Sequence, residues 1–118
     1  MRIKERRRAE RIDVSIPLDV SGEGDRASGE TINISMNGIY FRSNQHIDPL
    51  TKVQMGLVIP VGEGGEEKEE KAMFDGVVVR TEPEKRDDEP DAFRIAVYIT
   101  YMSKDSRAVL SDFIRRYI

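Results

Sequence analysis

The sequence predicts an all-β domain with a C-terminal helix, built as a small antiparallel barrel or sandwich of six short strands. Two observations carry this prediction. Apolar and polar side chains alternate in several short runs that are separated by glycine, proline and charged residues, which indicates half-buried strands. After residue 102 the apolar spacing changes to three and four, as on one face of an amphipathic helix. The chain has 118 residues, which suggests one domain.

The first three predicted strands lie before residue 43. Residues 12–20 alternate cleanly and form the first strand. Pro17 has no N–H to donate, so this strand should have a free edge or a bulge there. A turn at 21–25 leads to a second strand at 27–34, and a third strand covers 39–42. The apolar face of the first strand contains Ile12, Val14, Ile16, Leu18 and Val20.

The remaining strands are predicted at 52–60, 72–82 and 93–102. The intervening stretches 62–71 and 82–91 are rich in charge and are expected to be exposed connections. In the last strand we expect Tyr98 and Tyr101 to be core aromatics.

The C-terminal helix is predicted to begin after Ser103, which can cap its N-terminus, with Asp105 in the first turn where the helix dipole favours an anion. Phe113 is expected to join the core. The predicted apolar face contains Val109, Leu110, Phe113, Ile114 and Tyr117.

Composition excludes several classes of function. The chain has no cysteine, so disulfides and thiolate metal sites are absent and a reducing, cytoplasmic location is expected. His46 is the only histidine, which makes a zinc site or a catalytic triad improbable, and we expect no enzyme activity, metal or cofactor. No apolar run approaches about 18 residues, so we expect no membrane insertion.

Two short motifs carry the chemistry. The arm at residues 6–11 contains RxxxR, formed by Arg7 and Arg11, and the later turn contains NxSxxG, formed by Asn33, Ser35 and Gly38. Guanidinium forks match phosphate oxygens and the O6/N7 edge of guanine. A glycine lets the backbone come close to a ligand. Together these groups are suited to binding an anionic guanine nucleotide.

Charge placement supports capture of one small polyanion. The formal net charge is −3, yet the N-terminal arm is strongly basic. A protein that coats nucleic acid normally presents a basic face, so we do not expect nucleic acid as a partner. The plainer interpretation, that the arm is a solvated charged tail, stays open on charge alone.

RxxxR ahead of an alternating strand, followed by NxSxxG and later strands, resembles the PilZ domain family over nearly the whole chain. The resemblance implies a six-stranded antiparallel split barrel with a C-terminal helix, which binds cyclic di-GMP without catalysis. On this basis residues 1–11 form a flexible basic arm, 12–102 the barrel and 103–118 the helix of a single domain.

The resemblance also implies roles for the motif residues. Arg7 and Arg11 would contact phosphate or guanine. Asn33, where many members have aspartate, would accept from guanine N1–H or N2–H. Ser35 would bond a phosphate, ribose or base. Gly38 would supply a left-handed conformation or clearance.

Three residues outside the motifs also bear on the comparison with the family. Arg6 and Arg8 are additional candidates, with Arg6 compatible with an intercalated ligand dimer and Arg8 more simply a solvated charge. Ala96 stands where many members have glycine, and we expect this departure to affect only local strand packing.

The expected function is therefore a cyclic di-GMP receptor domain that changes conformation on ligand capture and signals to an unidentified protein partner, as a monomer or a ligand-modulated dimer. Two alternatives remain open. The first is an adaptor with the same fold that binds no nucleotide, in motility or pilus assembly. The second is a binder of single-stranded nucleic acid, against which the acidic total argues.

Overall fold

The computed structural model describes residues 10–62, 68–84 and 92–117, without the side chain of Asp25. The chain forms seven strands and one helix in these ranges. They are β1 (Ile12–Asp13), β2 (Pro17–Gly22), β3 (Asp25–Ile34), β4 (Gly38–Ser43), β5 (Lys52–Pro60), β6 (Glu69–Pro83), β7 (Phe93–Met102) and α1 (Lys104–Tyr117).

All strand pairs are antiparallel and the sheet order is β1-β3-β2-β5-β6-β7-β4. An additional pairing between β3 and β4 closes strands β2 to β7 into a ring. The predicted fold class, a six-stranded antiparallel barrel with a C-terminal helix, is confirmed. β1 is an extra strand that pairs with the C-terminal end of β3, outside the ring.

The prediction of one continuous first strand is wrong, because residues 14–16 separate β1 from β2. At this interruption the side chain of Thr31 forms hydrogen bonds in place of backbone strand pairing. Its hydroxyl donates to Val14 O and accepts from Ile16 N–H at 2.9 Å. The Thr31 N–H also donates to Ile16 O at 3.0 Å. Pro17 pairs with Glu30 of β3, whereas the β2–β5 pairing begins only at Leu18, in agreement with a free edge at the proline.

The helix closes the core. Ser103 caps it as predicted, with its Oγ accepting from Ser106 N–H at 3.1 Å. The Ser106 hydroxyl in turn accepts from Met73 N–H at 3.0 Å, on the part of β6 that extends beyond the end of β7. The helix packs on β5 and β6 there. Its buried apolar residues, which share one cluster with the inward face of the barrel, are Leu110, Phe113 and Ile114.

Two of the three predicted core aromatics are on the surface instead. Phe113 is buried, but Tyr98 is 55% and Tyr101 is 63% exposed. Tyr98 follows buried Val97 and therefore faces outward in the alternation of β7. Near Thr100 a β-bulge shifts the β6–β7 register, which turns Tyr101 outward and Met102 inward.

Candidate functional site

The extra strand β1 carries Arg11 to the second motif. Ile12 pairs with Ile34 and Asp13 with Asn33, with Ile12 and Ile34 buried. Because side chains alternate along a strand, Arg11 lies on the same outer face as Asp13 and diagonally beside Asn33. Arg11 Nη1 donates a hydrogen bond to Asn33 Oδ1 at the surface. The structure thus brings one arginine of RxxxR into contact with the first residue of NxSxxG.

A β-bulge decides which way Asn33 points. The β3–β4 register shifts between Thr31 and Asn33, so Ile32 is an extra residue on β3. Thr31 and Ile34 are both buried, which regular alternation would forbid for residues three apart. The bulge resets the phase, so Asn33 faces outward toward Arg11.

The serine of the motif organises the turn between β3 and β4. Ser35 is buried, and its Oγ accepts from the N–H groups of Asn37 and Gly38, both at 3.1 Å. It also donates to Gly38 O at 3.3 Å, while Ser35 N–H donates to the same oxygen at 3.0 Å. A hydroxyl offers one donor and two acceptor positions, so all three are used inside the turn.

Gly38 provides clearance rather than a left-handed backbone. Positive φ in the described chain occurs at Glu23, Gly24 and Leu50, not at Gly38. A Cβ on Gly38 would lie 2.8 Å from Val97 O of β7, which is too close. The turn is also fastened to β7, since Ile99 N–H donates to Asn37 O at 2.9 Å.

The structure places four of the five principal candidates, Arg11, Asn33, Ser35 and Gly38, in or beside one turn. Arg7 and the additional candidates Arg6 and Arg8 lie outside the described residues. The predicted flexible arm 1–11 falls almost wholly there as well.

Sequence reasoning missed the outer face of β4 and β7 as part of this region. Asn33 pairs with Tyr40, and Tyr40 pairs with Ala96, so the three residues form one outward row across β3, β4 and β7. Ala96 therefore lies two strands from Asn33 on the same face, and its expected effect on local strand packing alone stays a prediction. The period of β4, with Ile39 and Phe41 inward, could have indicated that Tyr40 faces out.

An ion-pair cluster lies in the next row of this face. Glu84 accepts from Arg42 Nε at 2.8 Å and from Arg94 Nε at 3.0 Å, and its side chain is only 8% exposed. The guanidinium groups of Arg94 and Arg42 hold the pKa of the Glu84 carboxyl below its ordinary value. Hydrogen bonds with Glu84 and with the Tyr40 side chain raise the pKa of Arg94.

Among the described residues, no group of three or more His, Cys, Asp or Glu side chains could hold a metal ion. No helix among them is long and apolar enough to cross a membrane. An open groove of about 900 Å³ lies between the β2–β3 hairpin and strands β5 to β7, and its lining residues, which include Lys52 and Asp75, contain no motif residue.

The fold and this region define a small six-stranded antiparallel barrel, closed by a helix and carrying a polar motif at one turn. The model of the PilZ domain matches residues 5–116, so the chain belongs to the PilZ domain family. PilZ is a non-catalytic family of domains known for cyclic di-GMP receptors, which confirms the prediction that the chain is not an enzyme.

Solved structures agree with the fold. The Bacillus subtilis inhibitor of motility (MotI/DgrA) superposes with a TM-score of 0.72 at 18% identity over 94% of this chain. The chain spans 51% of that structure, about half its length. The PilZ domain of CeSA from a cellulose-synthesizing bacterium gives a TM-score of 0.57 at 16% identity, over 92% of this chain and 99% of that one. No curated protein matches the chain significantly.

Proposed function

We propose that this domain is a cytoplasmic receptor that binds cyclic di-GMP at the outer face of β3 and β4 and transmits its capture to a protein partner. The observation that carries the proposal is the contact between Arg11 and Asn33 beside the ordered turn at 35–38. One fork donor and one amide acceptor already face the same surface. A guanine base needs both kinds of group, because its O6/N7 edge accepts and its N1–H and N2–H donate.

The existing bond between Arg11 and Asn33 is compatible with ligand binding. A guanidinium carries five N–H donors, so Arg11 can keep Asn33 in place and direct its remaining donors to a phosphate or to guanine. The Asn33 amide oxygen can accept a second hydrogen bond. The pair therefore orients both side chains before the ligand arrives, which lowers the entropic cost of binding.

Within this proposal the remaining motif residues divide into two roles. Arg7 supplies the second fork from the arm, with Arg6 and Arg8 as further basic groups around the ligand. Ser35 and Gly38 shape the turn and hold it against β7, since the hydroxyl of Ser35 is occupied and Gly38 lies against Val97 O. Direct contact of the Ser35 hydroxyl with the ligand would require one of its turn bonds to be given up.

The signal follows from neutralising the arm. Six basic side chains lie in residues 2–11 and repel one another. Two ligand phosphates reduce that repulsion and draw the arm against the barrel beside β1. The ordered arm changes the shape and charge of the surface that a partner contacts.

Isothermal titration with cyclic di-GMP tests the proposal on the wild type and on Arg7→Ala and Arg11→Ala. Loss of one bidentate contact should weaken binding by about 1–3 kcal/mol in each variant. Arg107→Ala, which removes an exposed arginine from α1, should bind as the wild type does. Absence of heat from the wild type at tens of micromolar ligand would contradict the proposal.

A further variant tests whether the Asn33 side chain accepts hydrogen bonds from guanine. Asn33→Asp places a carboxylate where guanine N1–H and N2–H are proposed to donate, and charge-assisted hydrogen bonds are stronger than neutral ones. We expect tighter binding of cyclic di-GMP and no gain for cyclic di-AMP, whose adenine lacks those donors. An equal gain for both ligands would show that residue 33 does not contact the guanine edge.

A further inference from the structure

Strands β4 and β7 carry a two-by-two pattern of small and aromatic residues on the outer face beside the turn. Gly38 pairs with Tyr98, and Tyr40 pairs with Ala96. Each tyrosine is thus directly opposite a residue with little or no side chain, and the two small residues lie on one diagonal. Such a pattern leaves little side-chain bulk opposite each aromatic ring.

The ring of Tyr98 is uncovered because of Gly38. No side chain extends from Gly38 toward it, and none is tolerated there, since a Cβ would lie 2.8 Å from Val97 O. On the opposite side Tyr98 pairs with Val77 of β6, which is partly buried. The result is a tyrosine that remains 55% exposed in the interior of a strand.

The turn and Tyr98 are mechanically connected. The backbone of Ile99, the next residue, donates to Asn37 O at 2.9 Å, which ties the turn to this point of β7. Tyr98 also lies two strands across and two residues along from Asn33, a separation of roughly 12 Å. A ligand with two nucleotides that is held at Arg11 and Asn33 is large enough to reach it.

We infer that Tyr98 is a further binding residue, whose ring is the platform on which one purine base of the ligand stacks. This inference rests on the proposed function and adds a residue outside both motifs. Every base has a π face, and stacking on an aromatic side chain does not depend on base identity. Tyr98 therefore contributes affinity, whereas Arg11 and Asn33 recognise guanine.

Tyr101 provides a matched control. It belongs to the same strand and is similarly exposed, but it lies beyond the Thr100 bulge and pairs with Asp75 instead of the turn. Tyr101→Ala removes the same atoms from the same strand at a place where no base is expected.

The experiment is titration of cyclic di-GMP into the wild type, Tyr98→Ala, Tyr98→Phe and Tyr101→Ala, with thermal unfolding of each protein as a check on folding. We expect Tyr98→Ala to weaken binding by between about 5-fold and about 100-fold. Tyr98→Phe keeps the ring and should stay within about twofold of the wild type, as should Tyr101→Ala.

Tyrosine emission gives an independent readout, since the chain has four tyrosines and no tryptophan. Stacking of a purine on Tyr98 should quench emission in the wild type and in Tyr101→Ala, and less so in Tyr98→Phe. Wild-type affinity in Tyr98→Ala, together with undiminished quenching in Tyr98→Phe, would overturn the inference and leave the receptor function intact, with the ring merely covering Gly38. No binding by the wild type would instead overturn the proposed function and this inference with it.

Discussion

Two turns of this barrel contain glycine for different physical reasons. In the β2–β3 hairpin Glu23 and Gly24 have φ values of 50° and 88°, as a two-residue turn of the primed type requires, and a Cβ on Gly24 would meet nothing within 4 Å. In the β3–β4 turn no residue from 35 to 38 has positive φ, all four being described, and Gly38 is confined by Val97 O. The first glycine supplies a backbone angle and the second supplies space.

The difference shows how the second turn serves the proposed site. An open turn with left-handed residues needs no support from the rest of the barrel. The β3–β4 turn is held by the buried Ser35 hydroxyl and by the bond between Asn37 and Ile99, so its position is determined by β7. A surface that must present Asn33 and Tyr98 at fixed positions benefits from that constraint.

The largest loss in the free energy of unfolding is expected for Gly38→Ala. The added methyl group would have to displace Val97 O, which separates β4 from β7 or strains the turn. Overpacking of this kind costs about 1–3 kcal/mol in the free energy of unfolding. Urea unfolding with an unchanged m-value would measure it. A loss below about 0.5 kcal/mol, the usual range for surface substitutions, would show that the close approach does not constrain the turn.

Ser35→Ala should come next, because it leaves the N–H groups of Asn37 and Gly38 without their acceptor. We expect about 1–2 kcal/mol of destabilisation by urea unfolding. Ser43→Ala is the matched control at the other end of β4: Ser43 is also buried, accepts from Gln45 N–H at 3.0 Å and donates to Gln45 O at 2.9 Å.

The two serine variants should differ in ligand binding although they lose similar stability. Ser35→Ala loosens the turn beside Asn33, so its affinity for cyclic di-GMP should fall. Ser43→Ala perturbs the far end of the strand and should keep wild-type affinity. Equal affinities in the two variants would mean that the Ser35 turn does not position the site.

The six-stranded barrel and the helix could be predicted because the apolar periodicity within each segment reflects which of its side chains are buried. The sequence did not predict where the alternation breaks. The interruption at residues 14–16 depends on the Thr31 hydroxyl, which is far away in sequence. The outward direction of Asn33 and Tyr101 depends on bulges at Ile32 and Thr100, and a bulge is set by strand pairing rather than by composition.

In the candidate site, too, some features are local in sequence and others depend on strand pairing. The motifs and the family resemblance indicated the candidate residues, and Arg11 does contact Asn33. The placement of Tyr40, Ala96 and Tyr98 beside one another depends on the register of β4 against β7, which the sequence does not contain.

A smaller loss in the free energy of unfolding than for Gly38→Ala is expected for Gly24→Ala in the β2–β3 turn. Alanine has room there but must adopt φ near +88°, which costs about 1 kcal/mol for a residue with a Cβ. Urea unfolding should detect that loss, and titration should find unchanged affinity for cyclic di-GMP. A loss as large as that of Gly38→Ala would erase the distinction between a glycine needed for angle and one needed for space.

The smallest loss of stability at neutral pH is expected away from both turns, at the ion-pair cluster of Glu84, Arg42 and Arg94. Because Arg94 and Arg42 lower the pKa of Glu84 in the folded state, its ionised form stabilises the protein above the unfolded pKa of about 4.3, and this contribution is lost as the pH falls through the folded pKa. Glu84→Gln resembles the protonated carboxyl, so it should lower Tm slightly at pH about 7, and its Tm should converge with that of the wild type as the pH falls through the lowered pKa of Glu84. Thermal unfolding across that range would measure the gap. A gap that stays constant with pH would show that the carboxylate charge does not hold Arg42 and Arg94 in place.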